Sequence, residues 1–182
     1  MWPAVIAGAV IQVNVIVVGM FASEINGARS WLYFAFRLMQ FPIGVFGVAI
    51  ATATLPTVSR QHGRSDMAGF GKTVRESLRL TFFLTIPASA GLAALAPQLI
   101  EMIYQHGEFS HFDTLQTAAA LQAFAIGIAG YAAIKVVIPC FSALDKPRIP
   151  LYIAIVIIFL NIVMCYLFVK ILHMGHVGLA MT

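Results

Sequence analysis

The stretch YFAFRLMQFPIGVFGVAIATATLP, residues 33–56, sets a guanidinium among side chains that would be at home in a bilayer. Gln40 follows Arg37 by three residues, and below them Gly44, Gly47, Ala51 and Thr54 recur. At 100° per residue these six fall within an arc of about 100°, and Phe41, Val45 and Phe46 point elsewhere. Arginine at a helix centre costs about 2.5–3.5 kcal/mol, and less toward the interface. Such a cation either snorkels to the headgroups or forms the wall of a site. Small residues suit close helix packing or a cavity lining, and Pro42 removes a backbone bond just below the charge, so a kink is expected there. A face that is polar above and small below, beside a kink, favours the site wall.

Lys135, in GYAAIKVVIPCF, is the second cation within an apolar run. Gly127, Tyr131 and Lys135 are spaced by four and share a helix face. The lysine is only about six residues from the inner end of its span, so snorkelling is the expectation, with Tyr131 and Lys135 kept as secondary site candidates. Lys72, Arg75 and Arg79 also share a face, beyond a helix cap at Ser65 or Asp66. They read as a patch for anionic headgroups or, more simply, as a topology signal on a solvated helix end. No Asp or Glu lies deeper in the spans than Glu101, so Arg37 has no buried acid to pair with.

Other chemistry is thin. HGEFSHFD at 106–113 gathers His106, Glu108, His111 and Asp113, but their spacing matches no common metal site. No nucleophile, metal-protease or phosphate-loop motif occurs, so neither an enzyme nor a cofactor is expected. Cys140 and Cys165 lack ligand-like spacing and read as apolar filler. The basic residues form no aromatic-interleaved groove, so nucleic acid is not an expected partner.

The elements that must carry these residues follow from composition. Hydrophobic residues make up 60% of the 182, charged ones 10%, and mean hydropathy is +0.91. A water-facing domain needs about a quarter of its residues charged. Uncharged runs at 1–23, 80–100, 114–134 and 149–169 each reach the roughly 20 residues that cross hydrocarbon. Backbone in lipid must satisfy itself, so the runs are helices. The expected fold is an all-α polytopic membrane protein with spans at 3–23, 30–58, 78–104, 114–141 and 148–171, and a sixth begun at 176–182. The first run has no basic n-region and too long an apolar stretch for a signal peptide, so it reads as a mature span.

Lys and Arg alternate between connections. Residues 24–30 carry Arg29, and 60–79 carry Arg60, Arg64, Lys72, Arg75 and Arg79. Residues 101–113 carry none, 142–148 carry Lys146 and Arg148, and 170–176 carry Lys170. By the positive-inside rule the second and fourth connections are cytoplasmic.

Three stretches resemble the MurJ/MviN family of lipid II flippases, in the superfamily of multidrug, oligosaccharidyl-lipid and polysaccharide exporters. They are SWLYFAFRLMQFPIGVFGVAIATATLPTVSR at 30–60, YQHGEFSHFDTLQTAAAL at 104–121 and IKVVIPCFSALDKPRIP at 134–150. The resemblance places this chain at helices seven to the start of twelve of fourteen, a C-terminal lobe whose N-terminal lobe is missing. It implies a multi-pass protein of the bacterial cytoplasmic membrane that moves a lipid-linked peptidoglycan precursor outward by alternating access. Arg37 matches an arginine of the family's cavity, where a planar guanidinium can pair bidentately with pyrophosphate. Many relatives have acids just before this arginine and three residues after it, where this chain has Phe36 and Gln40. Some hold sodium with carboxylates on helices seven and eleven; the matching positions are Val18 and Cys165, with Asn14 and Asn161 near, so sodium coupling is not expected to carry over. A flippase for another polyprenyl-linked sugar, and a non-transporting membrane scaffold, are the alternatives.

Overall fold

A computed structural model describes residues 27–144 and 148–166 of the chain. These residues form helices and turns, with no strand among them. Helix α1 (Ala28–Pro42) passes through a π-helical turn (Ile43–Val48) into α2 (Ala49–Gly63). Then come α3 (Met67–Ala94), α4 (Ala96–Tyr104), α5 (His111–Ala143) and α6 (Arg148–Tyr166). Three stretches, Ala28–Gly63, Met67–Ala94 and His111–Ala143, are long and apolar enough to cross a membrane.

Local chemistry sets the ends. The Asp66 carboxylate accepts from the Gly69 N–H at 2.9 Å and starts α3, which identifies the cap among the two candidates. Ser110 and Asp113 form a reciprocal capping box that starts α5. The basic connection at 60–79 is therefore helix on both sides of a tight turn at 64–66. The expected span 78–104 is two helices divided at Leu95, where φ is −98° and ψ 8°. Pro97 follows, lacking an N–H to continue the ladder and well placed in a first helical turn. The expected spans 3–23 and 176–182 lie outside the described residues, as do Asn14, Val18, Lys146, Lys170 and the side chain of Cys165.

Contacts fix how the helices run. Trp31 meets Asp113 and Phe112, Phe36 meets Phe124, and Gly47 meets Ala132, so α1 and α5 are parallel. Thr54 pairs with Ser77 and Gln61 with Thr73, so α2 and α3 are antiparallel. One end of the bundle is aromatic: Phe34 packs on Tyr104 and Phe109, beside Trp31 and Phe112. At the other end Val58, Phe70 and Cys140 pack together, below a hairpin that carries Arg60, Arg64, Lys72 and Arg75.

Depth follows from length. The 36 residues of Ala28–Gly63 extend about 54 Å at 1.5 Å per residue, against a hydrocarbon core of about 30 Å. With the aromatic ring of Trp31, Tyr104 and Phe112 set at one interface, roughly 20 residues reach the other near residue 51 on α2 and residue 134 on α5. Arg79 on the antiparallel α3 falls at the same level, since Ser77 is beside Thr54. Beyond that level the α2–α3 hairpin projects by about 18 Å.

The π turn has a measurable consequence. Ala28, Leu32, Ala35 and Met39 are buried in α1, and Ile43, Gly47, Ala51, Thr54 and Val58 continue the buried stripe. Three consecutive steps of four, from Met39 to Ala51, would carry a regular stripe about 120° around the helix. An extra residue in one turn takes up about 100° of that drift and keeps both halves facing α5. Pro42 supplies the cause, because it has no N–H and its ring crowds the preceding turn.

Candidate functional site

Arg37 is exposed on α1, and its guanidinium donates to the Tyr33 hydroxyl one turn earlier. Its Cζ is 4.8 Å from the centre of the Tyr33 ring, so the same tyrosine offers an oxygen acceptor and an aromatic face. Among the described residues no carboxylate pairs with it. Six residues separate it from Trp31, which sets its Cα about 9 Å inside the aromatic interface.

Lys135 repeats the arrangement on α5. Its Nζ is 5.2 Å from the centre of the Tyr131 ring, again four residues earlier. Helical side chains lean toward the N-terminus, and both helices begin at the aromatic end. Lys135 therefore leans away from the basic end, the direction opposite to the snorkelling expected of it. The Tyr131 π face gives its ammonium a partner one turn back along the same helix.

Arg37 is about 160° round α1 from Ala35 and Met39, the side that packs on α5, so of the two cations only Lys135 flanks the α1–α5 seam. The rings of Phe36 and Phe124 meet edge-on at 6.1 Å across α1 and α5. Gln40 and Gly44 share the flank of Phe36 at i+4 and i+8, and Tyr131 and Lys135 share the flank of Phe124 at i+7 and i+11. Arg37 and Gln40 thus lie nearer the aromatic interface and Lys135 about 15–20 Å further along the axis.

Gly44 belongs with Arg37 and Gln40 on the exposed side, while Gly47, Ala51 and Thr54 are buried. A straight α-helix would keep all six together; the π turn separates them. At Gly47 a Cβ would stand 3.2 Å from the Ala132 Cα and Cβ, so the missing side chain permits a close approach of the two helices. Thr54 Oγ1 bonds the Ile50 carbonyl at 2.7 Å and meets Ser77 Oγ at 2.8 Å. These three residues pack helices, whereas Arg37, Gln40 and Gly44 are exposed.

Lys72, Arg75 and Arg79 are exposed on α3, away from this seam. Tyr33 is the residue that sequence reasoning missed. Its i, i+4 spacing to Arg37, the same as that of Tyr131 to Lys135, was the available signal.

The family model described as lipid II flippase MurJ matches residues 1–182. A probable lipid II flippase MurJ of Vibrio cholerae is 36% identical over 183 residues, covering 100% of this chain and 34% of the relative. The lipid II flippase MurJ of Burkholderia cenocepacia is 33% identical over 183 residues, covering 100% and 35%. A solved structure, lipid II flippase MurJ in an inward closed conformation, superposes with a TM-score of 0.88 at 29% identity, over 99% of this chain and 38% of its own. The chain spans about a third of the length of these relatives.

Proposed function

Because the chain belongs to the lipid II flippase MurJ family, we propose that it is one helical lobe of a flippase for a lipid-linked peptidoglycan precursor. In this reading a second, N-terminal lobe completes the protein in the bacterial cytoplasmic membrane, with the basic hairpin on the cytoplasmic side. The exposed face of α1 that carries Arg37 and Gln40 is turned to that lobe, and the space between the lobes opens alternately to each side.

Arg37 would receive the pyrophosphate of the undecaprenyl-linked precursor. A guanidinium offers two parallel N–H donors to such an anion and stays charged at any physiological pH. Removal of water between the lobes would strengthen the pairing. Tyr33 aims the guanidinium, and Gln40 offers a further donor one turn deeper. Lys135, poised over Tyr131 on α5, is the secondary candidate for holding the anion.

One observation supports this reading above the rest: Arg37 is at lipid depth, oriented by Tyr33, and unpaired with any carboxylate among the described residues. Phe36 and Gln40 flank Arg37 along α1 without a negative charge, and in this reading the other lobe or the substrate supplies the anion that completes the guanidinium.

The test replaces Arg37 with Ala in the full protein, in cells depleted of their own flippase. Loss of growth rescue, at an unchanged membrane level of the protein, is expected. Full rescue would remove Arg37 from the substrate path. Rescue abolished by Gly47→Val yet indifferent to Arg37, Gln40 and Lys135 together would favour a packing scaffold.

A further inference from the structure

We propose that α3 carries a binding site for an anionic phospholipid, separate from the seam and independent of the flippase reading. A shallow, open groove along this helix is lined by Arg79, Phe82, Phe83, Ile86 and Pro87. Its wall is apolar and aromatic except at one end, where Arg79 stands. Phe83 is 74% exposed and Ile86 55%, so no helix among the described residues covers the groove.

The helical stripe through the groove changes character at one level. Lys72, Arg75 and Arg79 occupy its basic half at spacings of three and four, and Phe82, Phe83 and Ile86 continue the same face. The change coincides with the hydrocarbon boundary. Arg79 is at the level where the slab measured from the aromatic end runs out, and Arg75 is about 6 Å and Lys72 about 10 Å beyond it. In the other direction Ile86 lies about 10 Å inside.

A phospholipid has this profile. Its phosphate fits between Arg75 and Arg79, and one acyl chain lies along Phe82, Phe83 and Ile86. Glu76 flanks the stripe and lowers its net charge without reversing it. A zwitterionic lipid would bring its own cation against the arginines, whereas phosphatidylglycerol brings only the anion. The site therefore selects phosphatidylglycerol over phosphatidylcholine, with each arginine contributing about fivefold.

The test uses the full protein in nanodiscs with Phe83→Trp as reporter, its signal taken as the difference from the unsubstituted protein. Brominated-chain phosphatidylglycerol or brominated-chain phosphatidylcholine is added as the minor component of a phosphatidylcholine bilayer. Stronger quenching by the glycerol lipid is expected, about fivefold or more in apparent affinity. Arg75→Gln with Arg79→Gln should reduce it to parity. Arg60→Gln with Arg64→Gln, which removes equal charge from the projecting hairpin, should leave it intact. Equal quenching by both lipids, or persistence of the preference in the Arg75 and Arg79 variant, overturns the proposal. An equal loss in the Arg60 and Arg64 variant also overturns it, since diffuse surface charge would then account for the effect.

Discussion

The Trp31 indole N–H donates to the Asp113 carboxylate at 2.8 Å, across 82 positions of sequence. The other oxygen of the same carboxylate accepts from the Ser110 N–H at 2.9 Å and so caps α5. One side chain thus starts one long helix and pins it to the first turn of another, under the aromatic cluster of Phe34, Tyr104 and Phe109.

Trp31→Phe keeps a ring on Phe112 and removes the N–H. A hydrogen bond to a charged acceptor contributes about 1.5–3 kcal/mol, and at this half-exposed site about 1 kcal/mol of destabilisation is expected. Asp113→Asn should cost more, because it also weakens the capping box. Thermal unfolding of the full protein in detergent checks both, and the double variant should fall short of the sum.

Gly47→Ala should destabilise by about 1–3 kcal/mol through overpacking against Ala132. Ala132→Gly, introduced with it, should restore only part of the loss, because the Ala132 methyl goes but its Cα still stands 3.2 Å from the added Cβ. Gly44→Ala should be close to neutral, since a Cβ there meets nothing within 4 Å. The same unfolding measurement distinguishes the three.

Tyr33→Phe keeps the ring under Arg37 and removes the hydroxyl acceptor. A loss of about 1 kcal/mol of orientation corresponds to about fivefold slower precursor transport. Tyr33→Leu removes the aromatic face as well and should be slower still. Reconstituted transport of a labelled precursor measures the order; equal rates for all three proteins would detach Tyr33 from the function of Arg37.

Deleting Val45 removes the additional residue of the π turn and lets a regular α-helix close around it. The buried stripes of α1 and α2 then keep their common direction with little disturbance. Deleting Thr52 from regular helix instead rotates everything beyond it by about 100°. The first deletion should be tolerated in folded yield and the second not. The reverse order would count against a register role for the turn.

Much of this fold was legible in the residues themselves. Apolar runs of bilayer length can only be helices, and the concentration of Lys and Arg at 60–79 marked one end of the bundle. The Asp66 cap was readable because an acceptor side chain ahead of a helical face has a local role. Arg37 stood out for a similar reason, since a charge in an apolar run has a cost visible without coordinates. Shared motifs then pointed to the family whose model matches residues 1–182.

What the tertiary structure decided depends on residues far apart in sequence or on departures from ideal periodicity. Trp31 and Asp113 carry no mutual signal along the chain, and the close approach of Gly47 to Ala132 exists only once α1 and α5 run side by side. A wheel drawn at 100° per residue put Arg37 and Thr54 on one face; the π turn, which such a wheel cannot contain, turned one outward and the other into the core. Lys135 was read by its distance from the end of its span, but the direction of a helix sets the lean of its side chains, and that lean put the ammonium over Tyr131. Composition and periodicity determine what a segment is, because they act residue by residue; which faces meet is decided by packing, because it depends on all the segments at once.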